Sequence, residues 1–198
     1  MHRLVESLKI KDGKIFNIEF HNLRFNKTRN ELFGGKNKID LTNEITIPNQ
    51  FKIGIVKCRV IYRYDIEDIK FDYYQKRKIE SIKLVYNDLV EYKYKYENRA
   101  KLKELFEEKA NCDDIIIIKN NLLTDASSFN IVFFDGTNYY TPKTPLLCGT
   151  KREYLLQKKI IVEKDISLDD FIKYKEVFFI NAMIDLGEID IKIANIIK

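Results

Sequence analysis

Lys93 and Lys95 alternate with Tyr92, Tyr94 and Tyr96 in the stretch YKYKYENR, which closes on Asn98-Arg99. An amine attacks a carbonyl only when its proton can be removed near neutral pH, which needs partial burial or nearby positive charge. Strand alternation would put Glu91, Lys93 and Lys95 on one face and Val90, Tyr92, Tyr94 and Tyr96 on the other. By that pattern alone, Lys95 is a solvent-facing strand lysine. Arg24 offers a guanidinium that can grip two oxygens of an anion, yet its place between Leu23 and Phe25 also suits a surface helix. His21 stands one helical turn before it and reads as a packing or hydrogen-bonding residue. Gly149, Thr150 and Lys151 open a helical stretch, where unpaired N–H groups and the helix dipole favour an anion and glycine permits close approach. An ordinary loop-to-helix junction has the same appearance. Asp125, within NNLLTDASS, reads as a turn aspartate.

The background against which these residues stand is a folded, charged chain. It has 198 residues, 45% hydrophobic and 33% charged, with a formal net charge of +5. The basic excess is spread along the chain and fits an anionic small ligand as well as it fits nucleic acid. Cys58, Cys112 and Cys148 are widely spaced and only two histidines occur, so a structural zinc site is not expected. A reduced, cytoplasmic setting follows from the same cysteine usage. The N-terminus alternates in polarity, unlike a signal peptide or a membrane span.

The elements that must position these groups fall into two textures. LVESLKI-KDG-KIFNIEF predicts a hairpin turning at Asp12-Gly13. HNLRFNKTRNELF predicts a helix with Leu23, Phe25, Leu32 and Phe33 near helical spacing, ended by Gly34-Gly35. Residues 36–50 read as an irregular loop closed by Ile47-Pro48. GIVKCRVIYRY, IEDIKFDYYQ and SIKLVYN are β-rich, so the first half reads as a smaller α+β lobe, residues 1–88. Beyond it, ENRAKLKELFEEKA predicts a helix and DDIIIIKN a buried strand. FNIVFFDG and NYYTP predict a hairpin around Asp135-Gly136. A helix opened by Gly149, the strand KIIVEKDI, a short helix capped by Ser167 and the buried strand EVFFINAMI complete a larger α/β lobe, residues 89–198.

Taken together and in order, these segments resemble the class IV aminotransferase family. Its members are pyridoxal-phosphate enzymes of fold type IV, among them branched-chain and D-amino acid aminotransferases and aminodeoxychorismate lyase. VESLKIKDGKIFNIEFHNLRF follows the family's Glu-bearing hairpin, Asp-Gly turn and His-x-x-Arg. KYENR matches the lysine segment of the lyases, DASSFNI the acidic-to-asparagine element, TPKTPLLCGTKR the turn into Gly-x-x-Arg, and INAMI the last strand.

The resemblance implies a two-lobed fold like that of D-amino acid aminotransferase, with the N-terminal part shortened and pyridoxal 5'-phosphate at the lobe interface. It makes Lys95 the Schiff-base lysine, with Arg24 on the cofactor phosphate. Gly149, Thr150 and Lys151 form a second phosphate contact, and Asp125 stands where the family's glutamate pairs with the pyridine nitrogen. Asn181 and Ala182 are expected to line the cleft, and Asn130 to be structural. Ser7 falls where lyases of the family carry a threonine. With KYENR and INAMI it implies a cytoplasmic, homodimeric lyase of folate biosynthesis, acting on a small anionic amino-group substrate, without metal, nucleic acid or membrane. A branched-chain or D-amino acid aminotransferase is the alternative within the family. A non-catalytic anion- or RNA-binding module is the alternative outside it.

Overall fold

A computed structural model describes residues 2–197. The chain divides into two compact units, one of residues 1–75 with 94–98, the other of residues 76–93 with 99–198. The division thus falls earlier than the end of the β-rich first half. The short segment that carries Lys95 groups with the first unit, whereas Lys93 groups with the second.

In the first unit, β1 (Leu4–Lys11) turns at Asp12 and Gly13 into β2 (Lys14–Ile15). Both turn residues have positive φ, +48° and +76°, as a tight hairpin demands. The second strand is far shorter than the sequence predicts. Asn17 enters the left-handed region at φ 52°, and α1 (Ile18–Phe33) starts directly behind it, taking residues read as strand into a helix. Gly34 ends α1 at φ 69°, its N–H reaching the carbonyls of Arg29 and Asn30. The buried stripe of α1 is His21, Phe25, Thr28 and Arg29, spacings of four, three and one. Leu23, expected near the core, is 68% exposed. Two residues of helix turn it about 200° away from Phe25.

The loop read at 36–50 contains α2 (Leu41–Glu44), capped by Asp40, whose carboxylate accepts the Thr42 N–H at 2.9 Å. A single 3-10 turn, Asn49–Phe51, leads to β3 (Ile55–Tyr62) and β4 (Ile66–Tyr73). The sheet order is β2-β1-β3-β4, antiparallel throughout, with Ser7 opposite Arg59. Leu4, Leu8 and Ile10 of β1 pack with Phe25, Leu41, Val56, Cys58, Val60 and Tyr62. The Phe25 and Tyr62 rings lie 4.4 Å apart at its centre.

The second unit opens with β5 (Ile82–Tyr86) and α3 (Ala100–Glu107), then β6 (Asp114–Lys119) and β7 (Leu122–Ala126). Asp125, expected in a turn, lies in a strand. The turn is made four to five residues earlier, where Asn120 and Asn121 both take positive φ, 51° and 61°, closing a β6–β7 hairpin. Next come β8 (Asn130–Phe134), β9 (Tyr139–Pro142), α4 (Thr150–Gln157), β10 (Val162–Lys164) and β11 (Glu176–Ile180). The short helix expected at Ser167 is a 3-10 turn, Phe171–Lys173. The end of the chain adds β12 (Asp190–Lys192) and β13 (Ile196–Ile197), neither evident in the sequence. The main sheet path is β10-β9-β8-β7-β6-β5-β13, with β11 on β8 and β12 on β11. Ile115 to Ile118 of β6 are fully buried, as the continuous apolar run predicts for a strand covered on both faces. Val132, Leu155, Ile161, Phe178 and Ile180 tie α4 to β8 and β11.

Candidate functional site

The first unit carries Ser7, Arg24 and Lys95. Alternation along β1 sends Leu4, Glu6, Leu8 and Ile10 to one face, and all four are fully buried. Glu6 is thus a carboxylate in an apolar row, a placement that demands a charged partner. α1 supplies it. His21 and Arg24 are three residues apart on one helix face and both reach Glu6. Arg24 donates from Nε to Oε1 at 2.9 Å and from Nη2 to Oε2 at 2.6 Å; His21 Nδ1 lies 2.6 Å from Oε2. Burial opposes ionisation of Glu6, but the Arg24 charge and the hydrogen bonds of His21 and Arg24 outweigh it and hold its pKa at about 2. Burial lowers the pKa of His21, assisted by the charges of Arg24 and Lys95 and opposed by Glu6. A carboxylate only accepts, so Nδ1 is the protonated nitrogen of a neutral imidazole. The residue missing from the sequence reading is therefore Glu6. Its signal was legible: one charge in an otherwise apolar strand row.

Lys95 is half-buried and held by backbone. The Val5 N–H donates to its carbonyl at 2.9 Å, Glu97 N–H donates to the Arg3 carbonyl at 2.9 Å, and Tyr96 bridges Leu4 antiparallel. Tyr96 N–H also reaches the Tyr94 carbonyl at 2.9 Å, closing a γ-turn with Lys95 at its centre. Tyr94 and Tyr96 pack against the core of the first unit, and Tyr94 Oη donates to Glu31 at 3.0 Å. The tyrosines thus anchor the turn that presents Lys95. Lys93 is exposed. Ser7 is half-buried, on the face of β1 opposite Glu6.

The second unit carries Asp125, Gly149, Thr150, Lys151, Asn181 and Ala182. Asp125 and Asn130 are cross-strand partners in β7 and β8. Asn130 Nδ2 donates to Asp125 Oδ1 at 2.7 Å, and Leu147 N–H donates to Oδ2 at 3.0 Å. Burial pushes the Asp125 pKa up to about 6, against the pull of these donors and of the Arg152 charge. Gly149 caps α4 in an extended conformation and makes no side-chain cap hydrogen bond, so the first turn's N–H groups gain none from it. Thr150 and Lys151 are both buried. The Lys151 ammonium pairs with Asp185 and lies 5.4 Å from the Tyr154 ring centre.

Two arginines, the ends of the motifs KYENR and GTKR, brace this region. Arg152, fully buried, donates to the Pro142 carbonyl at 2.9 Å and pairs with Glu153 and Glu163, fastening α4 to β9 and β10. Arg99 donates to Ser128 Oγ at 3.2 Å and to the Ser127 carbonyl, clamping the loop between β7 and β8. Asn181 clamps the same loop through Nδ2, 3.1 Å from the Ser128 carbonyl, while its Oδ1 accepts from Met183 and Ile184 at 2.8 and 3.0 Å. Its amide therefore closes a turn and ties it to that loop. Ala182, beside it, is half-buried. A groove of about 360 Å³ in this unit is lined by Tyr92, Lys93, Lys119, Thr124, Thr144 and Leu146, among others. Thr124 points to the face of β7 opposite Asp125.

Among the described residues, no group of three or more His, Cys, Asp or Glu could hold a metal ion. No helix among them is long and apolar enough to cross a membrane.

Comparison with known proteins gives these residues a context. The family model described as amino-transferase class IV matches residues 93–190. An uncharacterized protein of Haemophilus influenzae is 37% identical over 186 residues, 92% of this chain and 98% of that protein. The crystal structure of a candidate 4-amino-4-deoxychorismate lyase from Haemophilus somnus is similar at TM-score 0.86 and 32% identity, covering 94% of this chain and 98% of that one. The PLP-bound form of a hypothetical aminotransferase from Mycobacterium tuberculosis shares the fold at TM-score 0.77 and 14% identity, covering 95% of this chain and 80% of that one.

Proposed function

The chain belongs to the class IV aminotransferase family, and from that premise we propose that it is a pyridoxal-phosphate-dependent 4-amino-4-deoxychorismate lyase, releasing pyruvate and p-aminobenzoate. The observation that carries the reaction is the 32% identity, over nearly the full length of both chains, to a candidate enzyme of that name. Ser7, KYENR and INAMI point the same way.

The residues present fit the cofactor. Asp125 is buried and costly to ionise among neutral donors, so a cationic ring nitrogen is the partner it suits. The N-terminus of α4, with a side-chain-free cap at Gly149, suits a phosphate. Two Arg24 nitrogens are held by Glu6, so the fold fixes the orientation of the guanidinium that an anion would meet. When bound, pyridoxal phosphate supplies an aldehyde that captures amines and a ring that withdraws electrons from the carbon beside them. Lys95 would hold that aldehyde and, as a free amine, would remove the substrate proton whose loss makes the ring aromatic as pyruvate departs. Arg24 and the α4 amides bind the phosphate, with Lys151 backbone contributing. Asp125 holds the ring nitrogen protonated. Ser7 orients the substrate, and Asn181 with Ala182 supports the loop beside it. The working form is a homodimer, and the setting is the cytoplasm.

The test uses purified protein with added pyridoxal phosphate. Borohydride reduction followed by peptide mass spectrometry should fix the cofactor to Lys95; Lys95→Ala should lose the label and the activity, and Lys93→Ala should keep both. Incubation with aminodeoxychorismate should yield p-aminobenzoate and pyruvate in equal amounts. Net amino transfer to 2-oxoglutarate without pyruvate release would instead favour the aminotransferase reading. Light scattering of the same preparation checks the dimer.

A further inference from the structure

The side chain of Asn130 joins two groups that the proposed function assigns to opposite ends of one cofactor, and the inference drawn from it rests on that reading. Asn130 is 6% exposed. Its Nδ2 donates both to Asp125 Oδ1 at 2.7 Å and to the Leu147 carbonyl at 2.8 Å. Both partners only accept, so both Nδ2 hydrogens are used and the amide can adopt only this orientation. Oδ1 is thereby turned to Gly149, where an added Cβ would lie only 2.0 Å from it. Leu147 N–H closes the ring by donating to the second oxygen of Asp125 at 3.0 Å. Asp125, Asn130, Leu147 and Gly149 are thus one hydrogen-bonded and sterically locked unit.

We propose that Asn130 is a positioning residue that fixes the Asp125 carboxylate and the Gly149 end of α4 relative to each other, so that the ring-nitrogen and phosphate ends of the cofactor are set by one side chain. The chemistry needs asparagine. Aspartate in its place would face two acceptors with no hydrogens to give and set one carboxylate against another. A longer or branched side chain would meet the Gly149 backbone.

Binding of pyridoxal phosphate and of phosphate-free pyridoxal, read by absorbance and fluorescence, tests the coupling. Asn130→Asp should weaken both ligands about tenfold or more, the scale of one lost hydrogen bond to a charged group. Gly149→Ala is the sharper variant. Its methyl must push Asn130 aside, so a change at the phosphate end should also weaken pyridoxal, which has no phosphate. Asn130→Ala combined with Gly149→Ala should bind no worse than Asn130→Ala alone, because the oxygen that the methyl strikes is gone. The proposal is overturned if Gly149→Ala leaves the pyridoxal Kd within about twofold of wild type, or if the losses in the double variant simply add. Thermal unfolding of the cofactor-free variants provides the control: a lowered melting temperature with unchanged Kd for both ligands would mean a merely structural role. Should Asn130→Ala not fold, Gly149→Ala with the two ligands decides alone. Wild-type protein that binds neither ligand would sink the underlying reading; wild-type binding with indifferent variants would sink only this inference.

Discussion

Glu6 in the first unit and Asp125 in the second are both buried carboxylates, and their pKa values are shifted in opposite directions. Glu6 is held at about 2, whereas Asp125 is pushed up to about 6. Burial is complete or nearly so for both, so desolvation alone does not separate them. The partners do. Glu6 has a formal positive charge in two-point contact, plus an imidazole N–H. Asp125 is hydrogen-bonded by neutral donors, among them an amide and a backbone N–H, and the Arg152 charge does not offset its burial. A neutral donor returns part of the lost hydration; a cation returns the charge as well. Glu6 is therefore satisfied by the fold itself and serves as scaffold for Arg24. Asp125 carries an ionisation cost that a cationic ligand would relieve, which fits the role proposed for it.

The most severe way to break this comparison is Glu6→Ala. It leaves the Arg24 charge without its partner in a largely buried position, and loss of one member of a buried pair costs about 3–5 kcal/mol. Urea denaturation at neutral pH should show it as a large fall in midpoint, with Glu6→Gln between the variant and wild type. Wild-type stability of Glu6→Ala would mean that the pair contributes nothing and that Arg24 is held by other contacts.

Acidity separates the two carboxylates more finely. The folded pKa of Glu6 lies below its ordinary 4.5, so its contribution is present above pH 4.5 and is lost as pH falls toward 2. The folded pKa of Asp125 lies above its ordinary 3.8, so its sign is reversed. Its burial is best tolerated below pH 3.8 and becomes progressively unfavourable as pH rises through 6. Asp125→Asn should therefore stabilise the cofactor-free protein by about 1 kcal/mol at pH 8 and leave it unchanged or weaker at pH 4. The gain stays below the full cost of ionisation because one side of the new amide faces an N–H donor. The same variant should bind pyridoxal phosphate less tightly at both pH values. Paired urea curves at the two pH values, with and without cofactor, check all four signs.

How far the sequence carried this contrast depends on the range of the interactions involved. The hairpin at Asp12-Gly13, the α1 stop at Gly34 and the Ile115–Ile118 strand were legible because each is specified by neighbours in the chain. So was the resemblance to the class IV aminotransferase family. The strand state of Asp125 was not, because two non-glycine residues, Asn120 and Asn121, supply the positive φ that closes the hairpin before it. Residues 18–20 were read as strand because the left-handed cap at Asn17 has no sequence signature as plain as glycine. The brace functions of Arg99, Arg152 and Asn181 rest on partners 28, 11 and 53 residues away, which no local pattern encodes. Alternation also misjudged Lys95. A γ-turn interrupts the strand rhythm there, and pairing with β1 half-buries the lysine.

A partly exposed ion pair supplies the low end of the scale. Lys151 has a buried side chain but its partner Asp185 is 47% exposed, so water screens the attraction. Lys151→Met keeps an unbranched stem against Tyr154 while removing the charge. Its stability should change by no more than about 1 kcal/mol at neutral pH, far less than for Glu6→Ala, although both variants delete one member of a charged pair. Thermal unfolding in low and high salt checks the ordering. The small Lys151 effect should shrink further with salt, whereas the Glu6→Ala deficit, which arises out of reach of mobile ions, should persist. A salt-insensitive loss at Lys151 as large as that at Glu6 would show that the burial of one partner suffices. The contrast between satisfied and unsatisfied carboxylates would then need a cause other than the charge of the partner.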